Sequence, residues 1–147
     1  MTDDATSGKL RLVLVAHDRK LLDLECDEVQ VPGSEGALGI LPGHTPLIAT
    51  LKVGEVTYQQ GRIERYVALA EGFVEVADDV VTVLTESAEL PEEIDVDAAR
   101  REATEAEKAV NEAVDEGWVQ AQVRLERALS RITVAQKVPL REIHPRD

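Results

Sequence analysis

The sequence predicts a β domain followed by two antiparallel α-helices. From residue 9 to about residue 89, short valine-rich runs are interrupted roughly every ten residues by glycine, proline or aspartate, which is typical of all-β folds. After Pro91 the apolar period lengthens from two residues to about 3.5, alanine replaces valine, and glycine recurs only at Gly117. We therefore divide the chain into a polar front segment, a β domain, a helical domain and a tail, over residues 1–8, 9–90, 91–138 and 139–147.

The predicted strands are short and amphipathic. Leu10, Leu12 and Leu14 occupy alternate positions of the first strand, as expected when one face of a strand is buried. Runs of similar character follow at residues 29–31, 47–51, 53–58, 63–69, 73–76 and 80–84. The pairs Gln60-Gly61 and Asp78-Asp79 predict tight hairpin turns between neighbouring runs. This many short strands favours a β sandwich or a flattened barrel.

Two helices are predicted after the β domain. Asp95 is a suitable N-cap for the first helix, Gly117 a suitable stop before the second, and Pro139 a boundary for the second. Each helix carries an apolar seam with alternating spacings of four and three, and the short connection between them favours an antiparallel hairpin. The seams contain Ala99, Ala103, Ala106, Val110 and Ala113, and Ala121, Leu125, Ala128, Ile132 and Ala135.

The two helices carry opposite charge. Residues 91–117 contain ten acidic and three basic side chains, a net charge of −7, whereas residues 118–138 contain one acidic and four basic side chains, a net charge of +3. The seam of the first helix is nearly all alanine, so four buried methyl groups contribute only about 3 kcal/mol. Exposed ion pairs add less than about 1 kcal/mol each. We expect a weakly closed hairpin that another docking surface can open.

Composition excludes several classes of protein. The 147 residues are 44% hydrophobic and 31% charged, as in soluble globular proteins, and the net charge of −13 argues against nucleic-acid binding. The single cysteine, Cys26, excludes an internal disulfide and indicates a reducing compartment. No apolar run approaches the roughly 20 residues of a membrane span, and residues 1–8 do not resemble a signal peptide, so we expect no insertion into a membrane. The histidines are scattered and no P-loop is present, which disfavours a metal site and an enzyme active site.

Several sequence segments resemble one protein family. The segment PGSEGALGILPGHTPLIATL at residues 32–51 resembles the signature of the epsilon subunit of F-type ATP synthases. The segment at 68–89 resembles the end of that family's β domain, and EIDVDAAR and RALSRITVA lie where its helices begin and end. The resemblance covers residues 9–138. It implies a ten-stranded β sandwich followed by a C-terminal antiparallel two-helix hairpin.

The resemblance also implies function and partners. Epsilon subunits belong to the central rotor of a proton-driven ATP synthase, where the β domain binds the gamma subunit and rests on the ring of membrane c subunits. Their helical hairpin can extend into the catalytic alpha/beta hexamer and inhibit ATP hydrolysis. The resemblance thus implies a non-catalytic subunit, without a cofactor, that is peripheral to the cytoplasmic face of the cell membrane. A free-standing nucleotide-sensing module of the same fold is the alternative.

A glycine-rich stretch within the signature is the candidate docking loop for gamma and the c ring. Four glycines between residues 33 and 43 allow tight turns and close approach of a partner. Ile40 and Leu41 are either exposed anchors or core residues, and His44 is expected to bond to backbone rather than to act in catalysis. Relatives often have an acid where this chain has Ala37, which weakens the expectation of a polar contact to the c ring. The candidate residues are Glu35, Gly39, Ile40, Leu41, Pro42 and His44.

The second helix carries a basic face. Arg124, Arg127 and Arg131 are three and four residues apart and therefore share one side of the helix. They can pair with the acidic first helix or, in an open hairpin, with an acidic segment of the catalytic beta subunit.

A weak ATP site is also a candidate. Some bacterial relatives bind ATP through a pattern close to I-D-x-x-R-A, and here Ala98 occupies the position of the arginine. Since alanine cannot replace a guanidinium, we expect millimolar or absent binding. The remaining residues of the candidate site are Glu89, Asp95, Arg127 and Arg131.

Overall fold

A computed structural model describes residues 8–137 as a β domain followed by two helices. Pro139, the predicted tail and residues 1–7 of the predicted front segment lie outside the described residues. A short 3₁₀ turn, Pro91–Glu93, connects the domains, and the helices are α1, Val96–Glu112, and α2, Gly117–Ala135. The strands are β1 Leu10–Ala16, β2 Arg19–Cys26, β3 Glu28–Gly33, β4 Gly36–Ile40, β5 Leu47–Leu51, β6 Gly54–Gln60, β7 Ile63–Leu69, β8 Gly72–Ala77, β9 Val80–Thr85 and β10 Ala88–Glu89.

The ten strands form one barrel-like sheet, which confirms the predicted fold class. The strand order is β10-β7-β6-β3-β5-β8-β9-β1-β2, and β4 pairs with β3 beside this path. β1 and β9 are parallel, and the other neighbouring pairs are antiparallel. Connections of two residues join most sequential strands, as the regular spacing of turn residues predicts.

The core lies inside the barrel-like sheet, on its inward face. Leu10, Leu12 and Leu14 are fully buried, in agreement with their alternate spacing. The main buried cluster is built from strand residues, and neither α1 nor α2 contributes a side chain to it. The β domain therefore completes its core without the helices. Other fully buried side chains are Val29, Val31, Ile40, Val56, Val67, Val74, Val76, Val81 and Val83.

Both predicted hairpin turns are present, the first of them shifted by one residue to Gly61 and Arg62, because Gln60 pairs with Ile63. Asp78 and Asp79 have φ angles of 52° and 63°, and Gly61 has a φ of 64°, as required by turns that match the twist of a β-hairpin. Asp and Gly tolerate this left-handed region better than most residues.

Three strands were not predicted from the sequence, namely β2, β4 and the two-residue strand β10. β2 lies at one end of the strand order and is half exposed, so its apolar residues do not alternate cleanly. β4 lies within the stretch predicted as a loop. The glycines that suggested a loop, Gly33 and Gly36, instead form the tight turn of the β3–β4 hairpin. A Cβ on Gly33 would lie 2.5 Å from the carbonyl oxygen of Gly36, which explains the glycine at this turn.

The helices form the predicted hairpin, with one correction. The Asp95 carboxylate accepts a hydrogen bond from the Ala98 amide at 3.0 Å, which confirms the N-cap. Gly117 does not end the first helix. The chain reverses at Asp115, which has a φ of 59°, and Gly117 begins α2. The seams meet through four buried alanines, Ala99, Ala106, Ala121 and Ala128.

Candidate functional site

The end of α2 packs against the β domain through a small apolar cluster. Val134 is fully buried against Tyr66, Ala68 and Ile94, with Ala135 partly buried beside them. The predicted seam did not include Val134, because this residue faces the sheet rather than α1. Ser130 Oγ also donates to the carbonyl oxygen of Gly54 at 2.9 Å.

Two cations of α2 and Lys137, two residues beyond its end, pair with carboxylates of the β domain, and we call these contacts the interdomain ion pairs. Arg131 makes two hydrogen bonds to Glu89, from Nε to Oε1 at 2.6 Å and from Nη2 to Oε2 at 3.2 Å. Arg127 Nη2 lies 2.5 Å from Glu71 Oε1 and 3.4 Å from Glu86 Oε1. The third pair joins Lys137 Nζ to Glu55 Oε2 at 2.6 Å.

The predicted basic face therefore divides between two sets of partners. Arg124 pairs with Glu102 of α1 at 2.8 Å, as expected for helices of opposite charge. Arg127 and Arg131 instead bind the β domain, so the expectation that the whole face pairs with α1 is wrong for them. Their spacing placed them on one side of α2, but the sequence does not indicate that this side faces the sheet.

The interdomain ion pairs are partly exposed. The hydrogen bond from Arg127 holds the pKa of Glu71 below its ordinary value. The side chains of Arg131 and Glu89 are 28% and 32% exposed, and the other pairs are of similar or greater exposure. Since exposed pairs are worth about 0–1 kcal/mol, these contacts hold the hairpin weakly.

A cavity of about 340 Å³ lies between α2 and the sheet. Glu89, Arg127 and Arg131, three of the four candidate ATP residues, line it together with small apolar side chains. Asp95 does not line the cavity, because its carboxylate caps α1. Both guanidinium groups are already paired with carboxylates, Arg127 through Nη2 alone, so a triphosphate would compete with those carboxylates.

The candidate docking loop contains both exposed and buried residues. Glu35 lies in the turn before β4, and Gly39 and Ile40 belong to β4, where Ile40 is fully buried opposite Val29. Ile40 is therefore a core residue and cannot be an exposed anchor, because the alternation of β4 directs it inward. Leu41 is 57% exposed and remains available to a partner, next to the partly exposed Pro42.

Two hydrogen bonds within this loop fix its conformation. The Gly43 amide donates to Asp79 Oδ1 at 2.7 Å, which ties the loop to the β8–β9 turn. His44 Nδ1 lies 2.6 Å from the carbonyl oxygen of Thr45, which confirms the predicted bond to backbone. The ring then carries its proton on Nδ1.

Sequence reasoning did not single out a second surface, which we call the outer apolar patch. Ile48, Phe73 and Leu84 are 75%, 55% and 50% exposed on adjacent strands β5, β8 and β9. Phe73 lies directly opposite Leu84 in the strand register. The alternation within β8 and β9 could have predicted this patch, because it places Phe73 and Leu84 on the face opposite the buried valines.

Within residues 8–137, no group of three or more histidine, cysteine or carboxylate side chains is arranged to hold a metal ion. In the same range, neither helix combines the length and the hydropathy needed to cross a membrane.

The two structural units coincide with two known protein-family domains. Residues 9–91 match the β-sandwich domain of the ATP synthase delta/epsilon chain, and residues 92–136 match the long α-helix domain of the same chain. This protein belongs to the ATP synthase delta/epsilon family. The boundary between the matches falls at the 3₁₀ turn that connects the sheet to α1.

Epsilon chains of bacterial ATP synthases resemble this family member over most of their length. ATP synthase epsilon chain 2 of Syntrophotalea carbinolica is 43% identical over 129 residues, which cover 86% of this chain and 94% of the relative. The epsilon chain of Halalkalibacterium halodurans is 44% identical over 128 residues, 86% of this chain and 96% of the relative.

A solved ATP synthase contains the same fold. A chain in the cryo-EM structure of the OSCP/F1/c-ring of the Euglena gracilis mitochondrial ATP synthase superposes with a TM-score of 0.75 at 24% identity. The superposition covers 84% of this chain and 79% of that chain. It supports the ten-stranded sheet and helical domain described above.

Proposed function

We propose that this chain is a non-catalytic epsilon-type subunit of the central stalk of a proton-translocating ATP synthase. Its β domain would bind the gamma subunit and the c ring at the cytoplasmic face of the cell membrane. Its helical hairpin would leave the β domain and inhibit ATP hydrolysis by the alpha/beta hexamer. In this role the chain couples proton translocation to ATP synthesis without performing chemistry.

One observation carries the proposal of a mobile hairpin. The main core of the β domain is complete without α1 and α2, whereas Val134, a few small side chains and the interdomain ion pairs hold the hairpin. Undocking α2 would therefore expose little apolar area and leave the β core intact. An undocked α2 would also present Arg127 and Arg131 to an acidic segment of the catalytic beta subunit.

The outer apolar patch supports a static role for the β domain. Exposed aromatic and aliphatic side chains on neighbouring strands are a common feature of protein interfaces. We assign this patch to the gamma subunit, because it lies on the β domain, whose core is complete without the hairpin. Leu41, at the end of the β domain that carries the β8–β9 turn, is assigned to the c ring.

A reversible cross-link tests the inhibitory role. Ala68 and Val134 lie in one buried cluster, so the double variant A68C/V134C should form a disulfide that locks α2 onto the sheet. In the reassembled ATP synthase, oxidation should raise ATP hydrolysis and reduction should restore inhibition. The single variant V134C serves as the control for oxidation. Equal hydrolysis by the oxidised and reduced double variant would refute the proposed inhibition.

The cavity beside α2 favours a second, weaker proposal. Glu89, Arg127 and Arg131 line it, but both guanidinium groups already form ion pairs with carboxylates that would compete with a triphosphate, so we propose that ATP binds with millimolar affinity or not at all. Calorimetric titration of the isolated chain with ATP measures this directly. Micromolar binding without any affinity for gamma would favour the alternative, a free-standing nucleotide-sensing module.

A further inference from the structure

The connector between the sheet and α1, residues 90–94, is attached to the β domain by contacts that do not involve α2. Arg19, at the start of β2, makes two hydrogen bonds to Glu93, from Nη1 to Oε2 at 2.9 Å and from Nη2 to Oε1 at 2.8 Å. Leu90 packs against the main core of the sheet. Undocking α2 would therefore leave the connector bound to β2 and to the core.

The Glu93 carboxylate also closes the connector into a turn. Its Oε1 accepts a hydrogen bond from the Leu90 amide at 2.9 Å, and the Glu93 amide donates to the Leu90 carbonyl oxygen at 2.9 Å. The Ile94 amide donates to the Pro91 carbonyl oxygen at 3.2 Å. The hydrogen bonds from Arg19 hold the pKa of Glu93 below its ordinary value, which favours the ionised carboxylate. One side chain thus forms the turn and attaches it to β2.

The hydrogen bonds of this turn end where those of α1 begin. The turn closes at the Ile94 amide, whereas the carboxylate and the carbonyl oxygen of Asp95 accept hydrogen bonds from the Ala98 and Ala99 amides of α1. Ile94 and Asp95 both have extended backbone, with ψ angles of 126° and 98°. Rotation between these two residues can therefore move α1 while the turn and the N-cap stay intact.

We propose that Arg19 fixes the connector to the β domain, so that the hairpin pivots between Ile94 and Asp95 when α2 leaves the sheet. Arg19 is a positioning residue that acts through Glu93. If the connector were released, its five residues could span up to about 17 Å, and the hairpin would no longer move about a fixed point. The pivot rests on the proposed undocking of the hairpin, whereas the attachment of the connector is measured without it.

Hydrogen exchange of the Ile94 amide in the isolated full-length chain tests the attachment. R19A should accelerate this exchange about fivefold, because the turn opens more often once it loses its bidentate partner. The matched control R11A removes another bidentate pair, between Arg11 and Asp23 of the same β1–β2 hairpin, and should change exchange less than about twofold.

A second background tests whether Arg19 acts through Glu93. In E93A, adding R19A should accelerate exchange of the Ile94 amide less than about 1.5-fold, because the partner of Arg19 is already absent. No effect of R19A in the native background would overturn the proposal. So would an equal effect of R11A, or an undiminished effect of R19A in E93A.

Opening of the hairpin tests the pivot. Val134 is fully buried between α2 and the sheet, so R131A, which removes an interdomain ion pair, should accelerate maleimide labelling of V134C at least about tenfold. The Ile94 amide should exchange less than about threefold faster in R131A, because the connector stays attached. Acceleration of both by the same factor would overturn the pivot, since the connector would then leave with the hairpin. Unchanged labelling of V134C would refute the proposed undocking, and with it the pivot, but not an attachment that R19A has demonstrated.

Discussion

Replacing Arg131 with alanine should release the hairpin from the β domain. Arg131 makes two hydrogen bonds to Glu89, and both side chains are about two-thirds buried, at 28% and 32% exposure. Removing one partner of a fully buried pair costs about 3–5 kcal/mol, and breaking an exposed pair costs about 0–1 kcal/mol. For this intermediate burial we expect about 2 kcal/mol, which raises the open population roughly 30-fold.

Thiol labelling measures this opening. Val134 is fully buried between α2 and the sheet, so a maleimide should reach the thiol of V134C only when the hairpin is undocked. We expect R131A to accelerate labelling of V134C about 30-fold. Cys26 is also buried and should label slowly in every variant.

Arg124 provides the matched control. Its ion pair with Glu102 joins the two helices to each other, and its partners are 44% and 40% exposed. R124A should therefore accelerate labelling of V134C less than about fivefold. An equal effect of R124A and R131A, or no effect of R131A, would refute the argument that the interdomain ion pairs hold the hairpin.

Three further predictions follow from individual contacts. Since Arg127 holds the pKa of Glu71 below its ordinary value, the stability that this pair gives the docked state should be present above about pH 4 and fall by up to about 1 kcal/mol at lower pH; hydrogen exchange of α2 amides measures this, and Glu71→Gln should remove the dependence. In urea unfolding, Ile40→Ala should cost about 2–5 kcal/mol and Leu41→Ala less than about 0.5 kcal/mol, because only Ile40 is buried; equal costs would contradict the core assignment. Gly72→Ala should cost more than about 1 kcal/mol, because its Cβ would lie 2.1 Å from a backbone oxygen of β9; an unchanged urea midpoint would contradict this.

Local signals predicted the elements that local physics determines. The alternation at Leu10, Leu12 and Leu14 placed the first buried strand correctly, and Asp95 marked the start of α1. Both signals depend on residues close together in the chain. β2 was missed because it is half exposed, and a register irregularity between Leu14 and Val15 interrupts its pairing with β1.

The glycine-rich stretch shows a different limit. Its composition correctly indicated tight turns. Glycine suits a turn between two strands and a turn in a loop equally well, so composition could not distinguish the two. Only the pairing of β3 with β4 shows that Ile40 faces the core, whereas Leu41, one residue later, is exposed. The choice between anchor and core therefore depended on tertiary structure, and could not be made from spacing alone.

The partners of the basic face explain why the hairpin can separate as a unit. Segment charges predicted that α2 pairs with α1, but among the described cations from residue 118 onward only Arg124 does so, while Arg127, Arg131 and Lys137 pair with the β domain. At about 1 kcal/mol for each interdomain pair and about 2 kcal/mol for burying Val134, docking is worth about 5 kcal/mol. A partner that prefers the open hairpin by a factor of about 10⁴ can offset this, which is within the reach of an ordinary protein interface. Because the pair between Arg124 and Glu102 and the alanine seam lie between the helices, they need not break when the hairpin leaves the sheet.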